Sequence, residues 1–225
     1  AAGIELGASA DIASNILSGM RMEVGELDHV VDSLAVTSTG SNTTVLELGE
    51  AFANVAPGAA AAGVAFNDTA AALGVLADNA IKGGRGGTAL NAAIRTILKP
   101  SKEAGELTEQ LGLKFFDSAG NMEPLVNIIA QLEEKGTDAR QVLTIFGEEG
   151  GRAINALVGS GSKRLAELRG EIVASGGAAE TMANKQLNTW QGSMKLMDSV
   201  TESLQITLGN KFLPVLKSIV DEGII

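Results

Sequence analysis

Apolar residues recur at helical spacing along almost the whole chain. Ala13, Ile16, Leu17 and Met20 share one helical face, and Val24, Leu27, Val31 and Leu34 share the next. Thr39, Gly40, Ser41 and Asn42 read as a turn. Thr44 followed by Glu47 has the form of a capping box, in which the threonine oxygen takes an orphan N–H and the glutamate reaches back. Val45, Leu48, Phe52 and Val55 then line one side of a helix that Pro57 is expected to kink or end. Asn67 and Asp68 are expected to start another, with Leu73, Leu76, Ala80 and Ile81 inward.

The run Gly83-Gly84-Arg85-Gly86-Gly87 reads as a break and a flexible joint, with Thr88 restarting the helix. Leu90, Ala93, Ile94, Ile97 and Leu98 form an amphipathic stripe that ends at Lys99-Pro100. Leu113 to Phe116 is the one strand-like stretch, and the turn-forming residues 117–121 follow it. Helical spacing resumes at Leu125, Ile128, Ile129 and Leu132. Thr137-Asp138 should cap a helix carrying Val142, Leu143 and Phe146, and Gly147 should stop it. Ile154, Leu157 and Val158 mark one further helix, and Leu165, Leu168 and Ile172 another.

From Leu187 through Trp190, Met194, Met197, Thr201 and Leu204 to Leu208 the spacing is that of a coiled-coil seam or of one long packed helix. Gly209 interrupts it, and Pro214 suits the first turn of a last helix. The pattern as a whole predicts an all-α fold. It would be an array of short packed helices with a longer C-terminal helix and at most one small β-hairpin near Phe115 and Phe116. Three segments follow: a helical lead-in over 1–66, a compact helical core over 67–175 and a long helical segment over 176–225.

Composition narrows the function classes. The 225 residues contain no cysteine, so disulfides and thiolate metal sites are excluded. Aromatic residues make up 3%, too few for a stacking platform for nucleic acid. The net charge of −10 argues against a default DNA binder, and no sequence-specific nucleic-acid contact is expected. The charge is unevenly distributed: residues 1–80 carry ten acids against the single base Arg21. Between Ile81 and Lys102 there are five bases (Lys82, Arg85, Arg95, Lys99, Lys102) and no acid. That stretch is either a solvated helix face or a patch that meets an acidic partner or a phosphate backbone. The uncharged run from Ala51 to Asn67 is too short and too interrupted for a membrane span. The sequence shows no signal peptide and no initiator methionine, and reads as a piece of a longer polypeptide.

Candidate chemistry is sparse. His29, the only histidine, has no nucleophile signature beside it and reads as a helix-face residue. The acid pairs Glu133-Glu134 and Glu148-Glu149 are sequence neighbours that point apart on a helix, unlike a glycosidase pair across a cleft. The glycine run lacks the lysine and hydroxyl ending of a phosphate loop. The Asp117–Asn121 turn lacks the distal glutamate of a calcium loop, and Met194 and Met197 read as core. No catalytic, cofactor-binding or metal-binding residue is assigned, no cofactor is expected, and the chain is not expected to be an enzyme.

A series of short motifs resembles the core region of phage tail tape measure proteins. It begins with Asp68-Thr69-Ala70-Ala71-Ala72-Leu73-Gly74-Val75-Leu76, then Gly87-Thr88-Ala89-Leu90, Leu111-Gly112 and Asp117 to Asn121. It continues with Phe146-Gly147, Gly176-Gly177-Ala178-Ala179 and Leu213-Pro214. Residues 1–66 are similar to the family's helical lead-in. The resemblance implies a structural protein of a long-tailed phage, prophage or phage-derived particle. Such a protein would template tail-tube assembly, set tail length and be released at DNA ejection. Implied partners are tail tube subunits, tail assembly chaperones, tail-tip or baseplate proteins and other copies of itself, with possible host membrane contact at ejection. The implied location is the virion tail, with the host cytoplasm during assembly. Two alternatives are a membrane-active helical module and a non-catalytic part of a cell-wall hydrolase. Fully helical and straight, the chain would reach at most ~340 Å. Its frequent caps and breakers predict a folded, compact region in place of a rod.

Overall fold

The computed structural model describes residues 6–187. Contacts divide the chain into two compact units, Ala1–Glu180 and Thr181–Ile225. In the second, the described residues 181–187 are helical. The helices are α1 (Leu6–Met20), α2 (Leu27–Gly40, after a 3-10 turn at Val24–Glu26), α3 (Val45–Ala62), α4 (Phe66–Asp78) and α5 (Gly83–Leu98). They continue with α6 (Lys102–Leu111), α7 (Leu125–Glu134), α8 (Ala139–Ser160), α9 (Ser162–Val173) and α10 (Ala178–Leu187). Among the described residues there is no strand. The strand-like stretch forms a bend closed by one antiparallel bridge between Phe116 and Met122. The all-α expectation holds. The seam expected from Leu187 to Leu208, with Gly209 and Pro214, lies outside the described residues beyond Leu187.

The core of the first unit forms around α4. Every residue from Asp68 to Ala77 is buried, so this alanine-rich helix is enclosed on all sides and needs no polar face. It is covered by α2, α3, α5, α7, α8 and α9. Helices α3 and α5 run parallel and pack most extensively, and α8 covers the other side of α5. The expected stripes on α1, α3, α7 and α9 are buried as read, from Ala13 and Ile16 to Leu168 and Ile172, with Val45 half-buried at the start of α3. The Thr44 capping box is present, with Glu47 N–H on Thr44 Oγ1 at 3.2 Å and Thr44 N–H on Glu47 Oε2 at 2.9 Å.

The structure corrects the reading in five places. On α2, Val24, Leu27 and Val31 are exposed by 79, 37 and 40%. The inward face is Val30, Ser33, Leu34 and Thr37, because the helix starts only at Leu27, after a turn in which Arg21 has φ +57°. Pro57 does not end α3, which runs on to Ala62 and closes at Gly63 in the left-handed conformation. Pro57 and Ala53 are both exposed, so the carbonyl that loses its N–H partner can reach water. Helix α4 starts at Phe66, and Ala80 stands exposed in the turn after it, so it does not point inward. The glycine run is no joint: it forms the first turns of α5 and packs against α3, and Thr88 lies inside that helix. Leu98 and Leu143 are exposed by 46 and 41%, at the edges of their stripes. Gly147 does interrupt the helical path. At φ 71° and ψ 179°, a conformation reserved for glycine, it turns the first two turns of α8 back against the rest.

Polar links fasten α9 to this core. Arg169 Nε donates to Asp68 Oδ1 at 2.6 Å, and Asp68 is almost fully buried. Arg164 donates to the Gly40 carbonyl and to Asp78 Oδ2 at 3.1 Å. Arg169→Met should cost about 2–3 kcal/mol, below the range for a fully buried pair because the guanidinium is partly solvated. Adding Asp68→Asn should recover part of that loss in thermal unfolding. Equal losses in the single and double variants would show that Arg169 does not compensate the Asp68 carboxylate.

Candidate functional site

His29 and the acid pairs are the residues most open to a catalytic reading. His29 on α2 forms a 2.8 Å hydrogen bond between Nε2 and Asn67 Oδ1 and meets the Phe66 ring edge-on at 5.8 Å. It ties α2 to the start of α4. Glu133 accepts from the Ser162 N–H at 2.9 Å and from the Ser162 hydroxyl, so it supplies the N-terminal cap that α9 lacks from its own Gly161. Glu134 and Glu148 are exposed, and Glu149 reaches Arg152 at 3.6 Å on the surface.

Asp117 Oδ1 accepts from the Ala119 and Asn121 N–H groups at 2.8 Å each, closing the bend after Phe116. The Asn121 side chain, with the backbone donors behind it, holds the Asp117 carboxyl below the usual carboxylate range. Among the described residues no three acids or histidines gather where a metal could be held. None of their helices is long and apolar enough to cross a membrane. Met194 and Met197 lie outside the described residues.

The feature that stands out is a surface. Arg85, Thr88, Arg95 and Lys99 follow one exposed face of α5, opposite the stripe Ala89, Leu90, Ala93, Ile94 and Ile97 that enters the core. Sequence alone grouped five bases here, and the structure separates them. Lys82 is half-buried and donates to Asn42 Oδ1 at 3.0 Å. Lys102 sits 3.8 Å from Glu106 on α6. Arg85, Arg95 and Lys99 make no ion pair among the described residues. Arg164 and Arg169, which the sequence does not distinguish from surface bases, are engaged inside the fold. No local signal marks them, because their partners lie 86 and 101 residues away.

The C-terminal end of the basic face borders an open cleft of about 320 Å³ between α5, α6 and the bend at 113–116. Ile97, Pro100, Phe115, Phe116 and Ile145 supply its apolar walls, and Glu109 and Thr108 its polar rim. Thr96 and Lys114 also line it.

Residues 1–159 match the family profile described as phage-related minor tail protein. The chain is 31% identical over 227 residues to the tape measure protein of Pneumococcus phage Dp-1, covering 97% of this chain and 20% of that one. It is 29% identical over 205 residues to the "Probable tape measure protein" of Escherichia phage P2, covering 87% and 25%. With the protein of the same description from Clostridium phage phiCD119 it shares 23% over 226 residues, covering 94% and 23%. The chain thus spans a fifth to a quarter of the length of these curated relatives. No solved structure matches it.

Proposed function

We infer the role of this chain from one premise: it belongs to the phage-related minor tail protein family, and the relatives it matches are tape measure proteins. It is a structural component of a phage tail. Within that role, we propose that the full protein templates tail-tube assembly and sets tail length, and that this chain is its folded assembly platform. The observation that carries the reading is the ordered match across nearly the whole chain, together with the burial of α4 inside a ring of short helices. A segment folded around its own middle helix cannot contribute length at the rate of a rod.

The proposed partners are tail tube subunits, tail assembly chaperones and tail-tip or baseplate proteins, met first in the host cytoplasm. The proposed chemistry is recognition without bond making. The segments 1–66, 67–175 and 176–225 are kept as a proposal about how regions of the chain are used in assembly. The membrane-active and hydrolase alternatives are not favoured, since neither is named among the relatives.

The basic face of α5 gives the test. Replacing Arg85, Arg95 and Lys99 together by glutamate should leave helicity and melting temperature unchanged, because all three are exposed and make no ion pair among the described residues. In the parent phage the same triple variant should block tail formation, scored by electron microscopy. Normal tails from a normally folded variant would return the stripe to an ordinary solvated face.

A further inference from the structure

The bend between α6 and α7 has an open backbone edge. Asp117 N–H donates to the Asn121 carbonyl at 2.8 Å, and Glu123 N–H donates to the Phe115 carbonyl at 2.9 Å. These two bonds flank the bridge between Phe116 and Met122, which makes those residues a non-hydrogen-bonded antiparallel pair. In such a pair the N–H and C=O of each residue point away from the opposite strand. Those of Phe116 make no hydrogen bond among the described residues. Burial alternates along this stretch, with Leu113 and Phe115 buried and Lys114 and Phe116 exposed, as in an extended chain. Lys114 therefore shares the outer edge with Phe116, and it shows what that edge accepts. Its N–H donates to Gln131 Oε1 at 2.7 Å, and its C=O accepts from Gln131 Nε2 at 2.8 Å. The Gln131 amide stands where a peptide group of a neighbouring strand would stand. The edge is closed at Lys114 and open at Phe116.

The Phe116 side chain is 41% exposed, and it lines the cleft of about 320 Å³ together with Ile97, Pro100 and Ile145. A free N–H and C=O beside an apolar cleft select among occupants. A helix has already spent its own backbone groups along its length, so it cannot pair with Phe116. An extended segment can. The charges at the rim, Glu109 and Lys114, are of opposite sign and give no reason for a charged occupant.

We propose that the Phe116 edge takes an extended, uncharged peptide segment as an added strand, with two backbone hydrogen bonds to Phe116. Alternate residues of a strand share both an edge and a face. The residues that pair with this edge are therefore the apolar ones, and they cover the Phe116 ring and reach into the cleft. Because Gln131 closes the position at Lys114, the contact is short, and the docking is weak and reversible. This inference concerns the bend, not the basic residues of α5, and does not rest on their role in assembly.

The probe is the peptide Ac-Val-Ser-Leu-Ser-Val-NH2, titrated into the isotope-labelled whole chain and followed by amide chemical shifts. It should bind with a Kd on the order of 1 mM. Shifts should fall on residues 113–123 and, across the cleft, on Thr96 and Thr108. Exchange of the Phe116 N–H should slow at least about fivefold at saturation. Methylating the valine and leucine nitrogens removes the donors of the docking edge and should weaken binding at least about tenfold. Methylating the two serine nitrogens alters only the far edge and should leave the affinity within about twofold. Phe116→Ala, at an exposed position, should keep the fold and weaken binding about tenfold through the lost apolar contact.

The two methylated peptides keep the test independent of any variant of the chain. Equal effects of the two methylation patterns would mean that side chains bind without strand pairing, and would overturn the proposal. So would full affinity in Phe116→Ala, shifts that leave residues 113–123 unmoved, or no binding at about 10 mM peptide. A stapled helical peptide of valine, leucine and serine that binds the same cleft more tightly would overturn it as well. The triple glutamate variant of α5 tests the assembly reading by tail formation, so either result stands without the other.

Discussion

Gly87→Ala should destabilise the fold by about 3 kcal/mol, although alanine is the better helix former by about 1 kcal/mol. Gly87 lies in the second turn of α5, where that helix crosses α3. A Cβ there would stand 2.0 Å from the Ala51 carbonyl oxygen and 2.7 Å from its carbon. Both atoms belong to the α3 backbone, so no side-chain rotation relieves the clash, and the helices must move apart by about 1 Å to restore van der Waals distance. That shift cannot stay local. Gly150 of α8 approaches α5 on its other side, where an added Cβ would stand 2.7 Å from the Ala93 nitrogen, so α5 is held by close backbone approach on two faces. For a chain of this size a 3 kcal/mol loss lowers the melting temperature by roughly 6–12 °C. Gly105→Ala is the control, since a Cβ on this α6 glycine meets nothing within 4 Å. That variant should be neutral or gain up to about 1 kcal/mol. A Gly87→Ala chain that melts at or above the wild-type temperature would show that α3 and α5 are not in backbone contact.

The same glycine shows where sequence reading stops. Leu90, Ala93, Ile94 and Ile97 were legible as a buried stripe because one helix contains the whole signal. Gly83 to Gly87 looked like a joint because local propensity treats glycine as a breaker, and the reason it is tolerated in a helix is Ala51 and Asn54 on another one. On α2, apolar spacing pointed to Val24, Leu27 and Val31, yet the core is met by Val30, Ser33, Leu34 and Thr37. Thr37 satisfies its own hydroxyl on the Ser33 carbonyl at 2.7 Å, so a small polar residue can line a packed face without a partner from outside.

Gly74 of α4 sits opposite, where a Cβ would be 3.1 Å from the Thr37 methyl. A stripe of small residues facing a glycine is a readable sign, but only once the two helices are known to meet. The Asp68–Arg169 pair was invisible for the same reason: Asp68 looked like a start signal for α4, and its partner is 101 residues away. The basic face of α5 could be located from sequence, while the sorting of free bases from engaged ones required the fold.

Deleting residues 123–175 from the parent protein should abolish or derail tail assembly and should not yield a population of uniformly shorter tails. The cut removes α7, α8 and α9. With them go the buried side chains from Leu125 and Ile128 through Phe146, Ile154 and Leu157 to Leu168 and Ile172. It also leaves Asp68 without Arg169 and Asp78 without Arg164. Losing even one large buried side chain costs about 2–5 kcal/mol, and a domain of this kind has a total stability of about 5–15 kcal/mol. Losing so many at once bares α4, a helix with no solvent face, and the remainder cannot keep its fold. A region that has lost its fold cannot present an assembly surface. The alternative geometry makes a different and quantitative statement: if the region lay extended along the tube, removing 53 residues would shorten each tail by about 80 Å at the helical rise and leave it functional. A tail-length histogram from electron micrographs separates the two. Absent or irregular tails agree with a compact platform. A sharp, viable peak about 80 Å short of wild type would mean that α7 to α9 unwind from α4 inside the particle, and the compact reading would be wrong there even though the family assignment stands.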